Sequence, residues 1–159
     1  MSIDAIAFKA PSGFAGQLSR PTAPFTNISE VTSAITNFGD VVDLTSGKVQ
    51  PITSGSTVVF GIAVRAFPIQ SQVFPNAAIG AGAYAANTVA DILKNGYIIV
   101  KVVGTANVGD TAYVVTNAST AGHPVGSIVA SSTGAIAIGA VFNTAANSEG
   151  FAELHVQIA

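Results

Sequence analysis

The aliphatic side chains of this chain are branched at Cβ far more often than at Cγ. Its 159 residues include 19 valines and 15 isoleucines but four leucines, and 14 threonines enlarge the β-branched set. Branching at Cβ restricts the side-chain rotamer in a helix, whereas the same side chains pack well on a pleated surface. The sequence therefore predicts an all-β fold.

The composition bounds the size and chemistry of that fold. Apolar residues make up 49% of the chain, and there is no cysteine. A chain of this length buries about two-thirds of its unfolded surface, so we expect a single globular domain that folds without disulfides or metal staples. The absence of thiols excludes thiolate catalysis, zinc–cysteine sites and redox chemistry.

Charge is scarce. Charged residues are 9% of the chain, whereas about 25% is usual for a soluble domain. Six Lys and Arg against eight Asp and Glu leave a net charge of −2, which offers no electrostatic footprint for a phosphate backbone. The first residues have no basic region typical of a signal peptide, and the apolar stretches are too short to span a bilayer. We expect neither a nucleic-acid nor a membrane partner.

Residues 1–26 form an irregular N-terminal arm in this interpretation. The arm has no clean period and contains Pro11, Gly13, Gly16, Pro21 and Pro24. It nevertheless carries six spaced apolar side chains, which are the candidate partner-binding residues: Ile3, Ile6, Phe8, Phe14, Leu18 and Phe25. Such an arm either wraps its own domain or lies along a neighbour.

Residues 27–159 are predicted to form one β domain, a compact barrel or sandwich of about eight to ten short strands. One hairpin is expected at residues 41–45 and 48–52, and another around Asn95-Gly96, a pair typical of type I′ turns. Further strands are expected at residues 57–66, 111–116, 127–130, 135–142 and 151–158. Their alternation predicts a core made of Val42, Leu44, Val59, Ile62, Val64, Ile98, Val100, Val102, Val114, Ile136, Ile138, Leu154, Val156 and Ile158.

Two short sequence motifs recur in this domain in the same order. Residues 39–44 resemble residues 109–114, each beginning with Gly-Asp, and residues 58–64 resemble residues 136–141, each with a central glycine. In both halves Gly-Asp would make the turn into a strand, and the later glycine would bend a partner strand. The shared order predicts a duplicated strand pattern.

Catalytic signals are weak. The two histidines, His123 and His155, have no acid or serine near them in a triad arrangement, and the eight carboxylates are scattered without a metal-loop spacing. The glycine-rich residues 80–85 resemble a dinucleotide fingerprint, but no strand precedes them and no acid follows at the required distance. We therefore predict no enzyme, no cofactor and no metal.

The order of the motifs resembles the capsid cement or head decoration proteins of tailed bacteriophages. The motifs are residues 16–21 (GQLSRP), 39–44 (GDVVDL), 46–52 (SGKVQPI), 59–64 (VFGIAV) and 108–114 (VGDTAYV). This resemblance implies a non-enzymatic, β-rich structural protein. It would sit on the outer capsid surface as a dimer or trimer and bridge major capsid subunits.

The residues themselves are compatible with that role, because a coat of small uncharged side chains lowers the desolvation cost of burial against a shell. Two other classes remain open. A β-rich receptor- or carbohydrate-binding module of the virion would share the composition. A small β-barrel hydrolase would require His123 or His155 beside a carboxylate in a pocket.

Overall fold

The computed structural model of the chain describes residues 13–20, 23–65 and 82–159. The described residues form eleven strands and one short helix, and none of their helices is long and apolar enough to cross a membrane. The elements are β1 Thr26–Val31, β2 Thr36–Asn37, β3 Val41–Thr45, β4 Lys48–Pro51, β5 Gly61–Ala63, β6 Ala83–Tyr84, β7 Val89–Lys101, β8 Thr111–Val115, α1 Ala118–Ala121, β9 Ile128–Val129, β10 Ala135–Phe142 and β11 Phe151–Gln157.

Nine of these strands form one curled antiparallel sheet. Its order is β4-β3-β5-β7-β11-β10-β8-β9, with β1 also paired to β7, while β2 and β6 form a separate small sheet. The outermost strands β4 and β9 each meet another segment through a single parallel bridge, Thr32–Val49 and Val102–Ile128. The prediction of an all-β fold is confirmed, and the architecture is a half-barrel.

The hairpin predicted at residues 41–52 is confirmed. Strands β3 and β4 pair from Thr45–Lys48 back to Val42–Pro51. The two residues between them, Ser46 and Gly47, have φ values of 53° and 74°. Two successive positive φ values are what a type I′ turn requires.

The hairpin predicted at Asn95-Gly96 is wrong. Both residues lie in the middle of β7, a continuous strand of 13 residues. Residues 89–95 pair with β1, and residues 95–101 pair with β11. Because each side of Asn95-Gly96 has a partner strand of its own, strand pairing overrides the local turn preference. Gly96 keeps a positive φ of 135°, so the strand is irregular there but does not reverse.

The strand expected at residues 57–66 is also shorter than predicted. Only residues 61–63 pair as β5. The glycine at its start is needed for close approach, because a Cβ on Gly61 would lie 2.8 Å from the carbonyl oxygen of Leu93.

Two turns in the chain have the same hydrogen bonds. The backbone N–H of Asn37 donates to Oδ2 of Asp40 at 2.8 Å, and the backbone N–H of Asn107 donates to Oδ2 of Asp110 at 2.8 Å. Each asparagine side chain also donates to the same oxygen. The third residue of each turn is a glycine, with φ of 85° in one and 88° in the other. The Gly-Asp motifs therefore make equivalent turns.

These turns also dock in the same way. Gly39 N–H donates to the carbonyl of Ala63, and Gly109 N–H donates to the carbonyl of Phe142, each at 2.8 Å. The two bonds make Ala63 equivalent to Phe142. Gly61 is therefore equivalent to Ala140 and not to Gly139. The two glycines that the sequence comparison aligned are one position apart in the structure.

The equivalence extends to the strand registers. The same alignment relates pairs across four interfaces: Ser29–Asp91 to Ile99–Glu153, Asp43–Gln50 to Tyr113–Val129, Val41–Ile62 to Thr111–Val141, and Ala63–Ile92 to Phe142–Leu154. The chain thus contains one five-strand unit twice in tandem. The first unit is β1, β3, β4, β5 and residues 89–94. The second unit is residues 95–101, β8, β9, β10 and β11.

The core has two parts that follow the units. A smaller cluster fills the first unit, with Phe38, Val42, Val49, Ala63, Tyr84, Ala90 and Ile92. A larger cluster fills the second unit and joins it to the outer face of the first. Most of the predicted core residues are buried, but Leu44 is 47% exposed, and Ile136 and Ile158 are partly buried at the margin. Leu44 lies in the exposed end of β3, next to the Ser46-Gly47 turn.

Candidate interaction surface

The described part of the arm pairs with the second unit. Gly16 N–H donates to the carbonyl of Ile99 at 2.8 Å, Ile99 N–H donates to the carbonyl of Gln17 at 2.9 Å, and Ser19 N–H donates to the carbonyl of Tyr97 at 3.2 Å. Residues 16–19 therefore lie as a short additional strand along β7. This arrangement fixes residues 16–19 of the arm on their own domain.

The six candidate partner-binding residues fall into three groups. Ile3, Ile6 and Phe8 lie outside the described residues. Leu18 pairs with Ile98 and packs against the large core cluster. Phe14 and Phe25 are 45% and 46% exposed. Within the described arm, Leu18 is thus a docking residue for the arm itself, whereas the two phenylalanines offer apolar surface to solvent.

Arg65 ties the exposed Phe14 to the first unit. Its guanidinium carbon lies 5.1 Å from the ring centroid of Phe14 and 5.1 Å from that of Phe38. A guanidinium within about 6 Å of an aromatic face is attracted by the ring quadrupole. Phe38 in turn packs edge-on against Tyr84, with centroids 5.1 Å apart. Nothing in the sequence pattern links Arg65 to these rings, because the contact joins four distant segments.

A second cation, Arg20, binds the other end of the described arm to the sheet. Arg20 donates to both carboxylate oxygens of Glu153, at 3.1 and 2.9 Å, and lies 4.5 Å above the ring of Tyr97. Asn143 also donates to Glu153. Burial raises the pKa of Glu153, but the hydrogen bonds from Arg20 and Asn143 and the nearby hydroxyl of Ser19 outweigh it and hold that pKa below 4.5.

Neither histidine has a catalytic arrangement in the described residues. His155 stacks on its cross-strand partner Tyr97, with centroids 4.5 Å apart and planes 8° apart. His123 follows the C-cap glycine of α1, and no hydrogen bond joins either ring to a carboxylate. The described residues likewise contain no cluster of three or more metal-ligating side chains. The buried Asp43 accepts hydrogen bonds from Ser56 and Thr45, which makes it part of a turn network.

Shallow clefts interrupt the surface. One of about 420 Å³ lies where the two units meet, with Phe38, Asp40 and Ile52 on one side and Lys101 and Ile128 on the other. Another of about 530 Å³ lies at the open end of the first unit beside Leu44 and Val58. Neither contains a histidine next to a carboxylate, which the hydrolase hypothesis requires.

Comparison with known proteins decides between the classes. A family model described as structural cement protein (E217 gp24/Pam3 gp6) matches residues 5–157. The chain belongs to this phage cement protein family. A chain of the solved structure entitled "The capsid of Myoviridae Phage XM1" has the same fold as the cement protein, with a TM-score of 0.67 at 19% identity. The alignment covers 99% of this chain and 98% of that one. No curated protein sequence matches.

The family assigns the cement protein a structural, capsid-stabilising role in the virion, in association with capsid proteins. The resemblance found in the sequence motifs is therefore confirmed. A receptor-binding or carbohydrate-binding role is not favoured, and membership of a structural family suggests that the protein is not an enzyme.

Proposed function

We propose that this cement protein decorates the outer surface of the assembled head and bridges neighbouring major capsid subunits. It acts as a homo-oligomer and as a structural protein without catalytic activity. The observation that carries the proposal is the family match over residues 5–157. It binds capsid protein directly and contacts neither nucleic acid nor membrane.

The described surface suits this task. Exposed large apolar side chains are found on the arm and on both units, among them Phe14, Ile35 and Val108. Few of the surrounding residues are charged, since the whole chain has 14 Lys, Arg, Asp and Glu side chains. Burying such a surface against a shell therefore removes few charges from water.

The arm supplies the anchors in this proposal. Residues 16–19 hold it on β7, which leaves residues 1–12 attached next to Phe14. Ile3, Ile6, Phe8 and Phe14 bind the capsid, and Leu18 fixes the base of the arm. In domain terms, residues 1–26 are the arm and residues 27–159 are the β domain.

The test uses the full-length protein and purified, closed heads that lack it. A protein of 15.9 kDa added to closed heads reaches only their outer face. We expect saturable binding, with added density over contacts between capsid subunits in electron cryomicroscopy. Absence of binding, or density confined to single subunits, would overturn the bridging role.

The variant Phe14→Ala tests the arm. Full burial of a Phe side chain contributes roughly 1.5–3 kcal/mol. Because Phe14 is 45% exposed, the head can add about half of that contribution, so we expect affinity for heads to fall by about 3- to 10-fold. Val58→Ala, at a position 71% exposed and outside the arm, is the matched control. Equal binding by both variants at unchanged melting temperature would show that Phe14 does not contact the head.

A further inference from the structure

The first unit has an outer face that the fold buries. Val41, Ile62 and Leu93 lie side by side on three neighbouring strands of the sheet. They are 1%, 0% and 0% exposed. All three belong to the large core cluster, which joins the first unit to the second. We call the surface that carries these three residues, or their equivalents, the outer face of a unit.

The outer face of the second unit is left open by the described residues. Thr111, Val141 and His155 stand at the three equivalent positions and form the same cross-strand pairs. Thr111 is exposed, Val141 is 41% exposed, and His155 is half-buried against the ring of Tyr97. The surface that is buried in one unit therefore faces solvent in the other.

The side chains on this open face are mostly uncharged. The turn that contains Val108, which is 68% exposed, docks on β10 next to Val141. Strands β7, β8, β10 and β11 place two charged side chains on the face. One is Glu153, which is paired with Arg20, and the other is Lys101 at the far end. A neutral partner surface can therefore cover the face at a low desolvation cost.

The described arm lies on the same face. Ile99 is two residues from Tyr97, so both side chains are on one side of β7. A Cβ on Gly13 would collide with Cδ1 of Ile99, which means that the backbone of the arm rests on this side chain. Arg20, at the other end of the described arm, lies 4.5 Å from the ring of Tyr97. The arm and the outer face of the second unit therefore form one continuous surface.

The size of the face suits a contact that it shares with the arm. Its four strands, β7, β11, β10 and β8, are neighbours in the sheet and make it roughly 19 Å wide. The eight residues of β10 make it about 26 Å long, which gives an area of roughly 500 Å². A stable interface buries about 800 Å² on each partner, so the face reaches that size together with the arm.

We propose that the outer face of the second unit, together with the arm, binds a major capsid subunit through a neutral, largely apolar surface of that subunit. This inference rests on the proposed function, in which the cement protein binds capsid protein directly, and it assigns the binding to one face of the molecule. Val141 then lies at the centre of the contact.

Thiol labelling tests the face, because the native chain has no cysteine. Val141→Cys places one thiol on the outer face, and Val89→Cys, at a position 62% exposed on the first unit, is the matched control. We expect a maleimide to label both variants in the free protein. On closed heads, Val141→Cys should lose most of its reactivity, whereas Val89→Cys should keep it. Mass spectrometry of the 15.9-kDa chain separates its labelling from that of capsid protein.

Circular dichroism and melting temperature check that both variants fold, and Thr111→Cys on the neighbouring strand repeats the measurement. Equal labelling of Val141→Cys and Val89→Cys on heads, or equal protection of both, would overturn the inference. Protection of Val141→Cys in the free protein would also overturn it, because a second copy or the chain's own remaining residues would then cover the face.

Affinity for heads gives a second measurement. Val141→Lys should lower it by at least about tenfold, because the contact would take an unpaired ammonium group out of water. Val89→Lys should leave it unchanged. If Val141→Lys binds heads as tightly as the native protein, the inference is overturned and the proposed function stands. If the native protein itself does not bind heads, the proposed function fails and this inference fails with it.

Discussion

Arg20 and Glu153 form a two-point ion pair across 133 residues of sequence. The arginine is 49% exposed, whereas the glutamate is 11% exposed. This pair fixes the end of the described arm to the last strand of the sheet. Its contribution depends on the charge of Glu153 and therefore on pH.

The stability contributed by Glu153 should decrease in acid. Its pKa is below 4.5 in the folded protein because the hydrogen bonds from Arg20 and Asn143 and the nearby hydroxyl of Ser19 outweigh the opposing effect of burial. A lowered folded pKa contributes stability above the unfolded value, and that contribution is lost as pH falls through the folded value. Denaturant unfolding from pH 7 to pH 3 should show the gap between native protein and Glu153→Gln narrowing below about pH 4.5. Glu149→Gln, at an exposed position, is the control, and a gap independent of pH would contradict this assignment.

Asp40 should respond in the opposite sense. Burial raises the pKa of Asp40 above 3.8, although hydrogen bonds from Asn37 act against this shift. A raised folded pKa favours the fold below the unfolded value, and this advantage is lost as pH rises through the folded value. Asp40→Asn retains an acceptor oxygen without the charge, so its stability relative to the native protein should be greater at pH 7 than at pH 3.

Asp40→Ala removes the acceptor and should cost about 1 kcal/mol in free energy of unfolding. Asp110→Asn in the equivalent turn controls for the change of acceptor. If Asp40→Asn were as unstable at pH 7 as Asp40→Ala, the carboxylate charge itself would be what the turn requires.

The two turns should differ sharply in their second residue. Phe38 is 5% exposed beneath Tyr84 and Arg65, whereas the equivalent Val108 is 68% exposed. Phe38→Ala leaves a cavity and should cost about 3–5 kcal/mol. Val108→Ala should stay within about 0.5 kcal/mol of the native protein. Chemical denaturation measures both, and similar losses would mean that Val108 is covered in solution.

Gly96 should tolerate alanine less well than Gly47. Both have positive φ, but a Cβ on Gly96 would lie 2.8 Å from Cβ of Phe25, whereas one on Gly47 meets nothing within 4 Å. Gly47→Ala should cost about 1 kcal/mol from the left-handed backbone alone. Gly96→Ala, at φ 135°, should add strain of about 1–3 kcal/mol and a steric clash. Equal melting temperatures for the two variants would show that the bend in β7 does not need glycine.

Local signals in the sequence predicted local structure well. Ser46-Gly47 identified its hairpin because both residues sit at the tip with no competing partner. The two Gly-Asp turns were recognisable because each needs a left-handed glycine and a carboxylate acceptor at fixed spacing. Alternation in residues 151–158 predicted the buried face of β11, where Leu154 and Val156 are fully buried.

Long-range pairing was not predictable in the same way. Asn95-Gly96 has the residues of a tight turn, yet β1, β5 and β11 all pair with β7, and these partners lie far away in sequence. The contacts of Arg65 with Phe14 and Phe38 depend on three segments meeting in space.

Strand β7 is held in common by the two units, because residues 89–94 complete the first and residues 95–101 begin the second. If β7 unfolds, both units lose one of their five strands. In the described part of the chain, we therefore expect no boundary at which one unit unfolds while the other stays folded. A force applied to either unit is transmitted to the other through β7, a single strand of 13 residues. The whole molecule should therefore unfold in one cooperative transition.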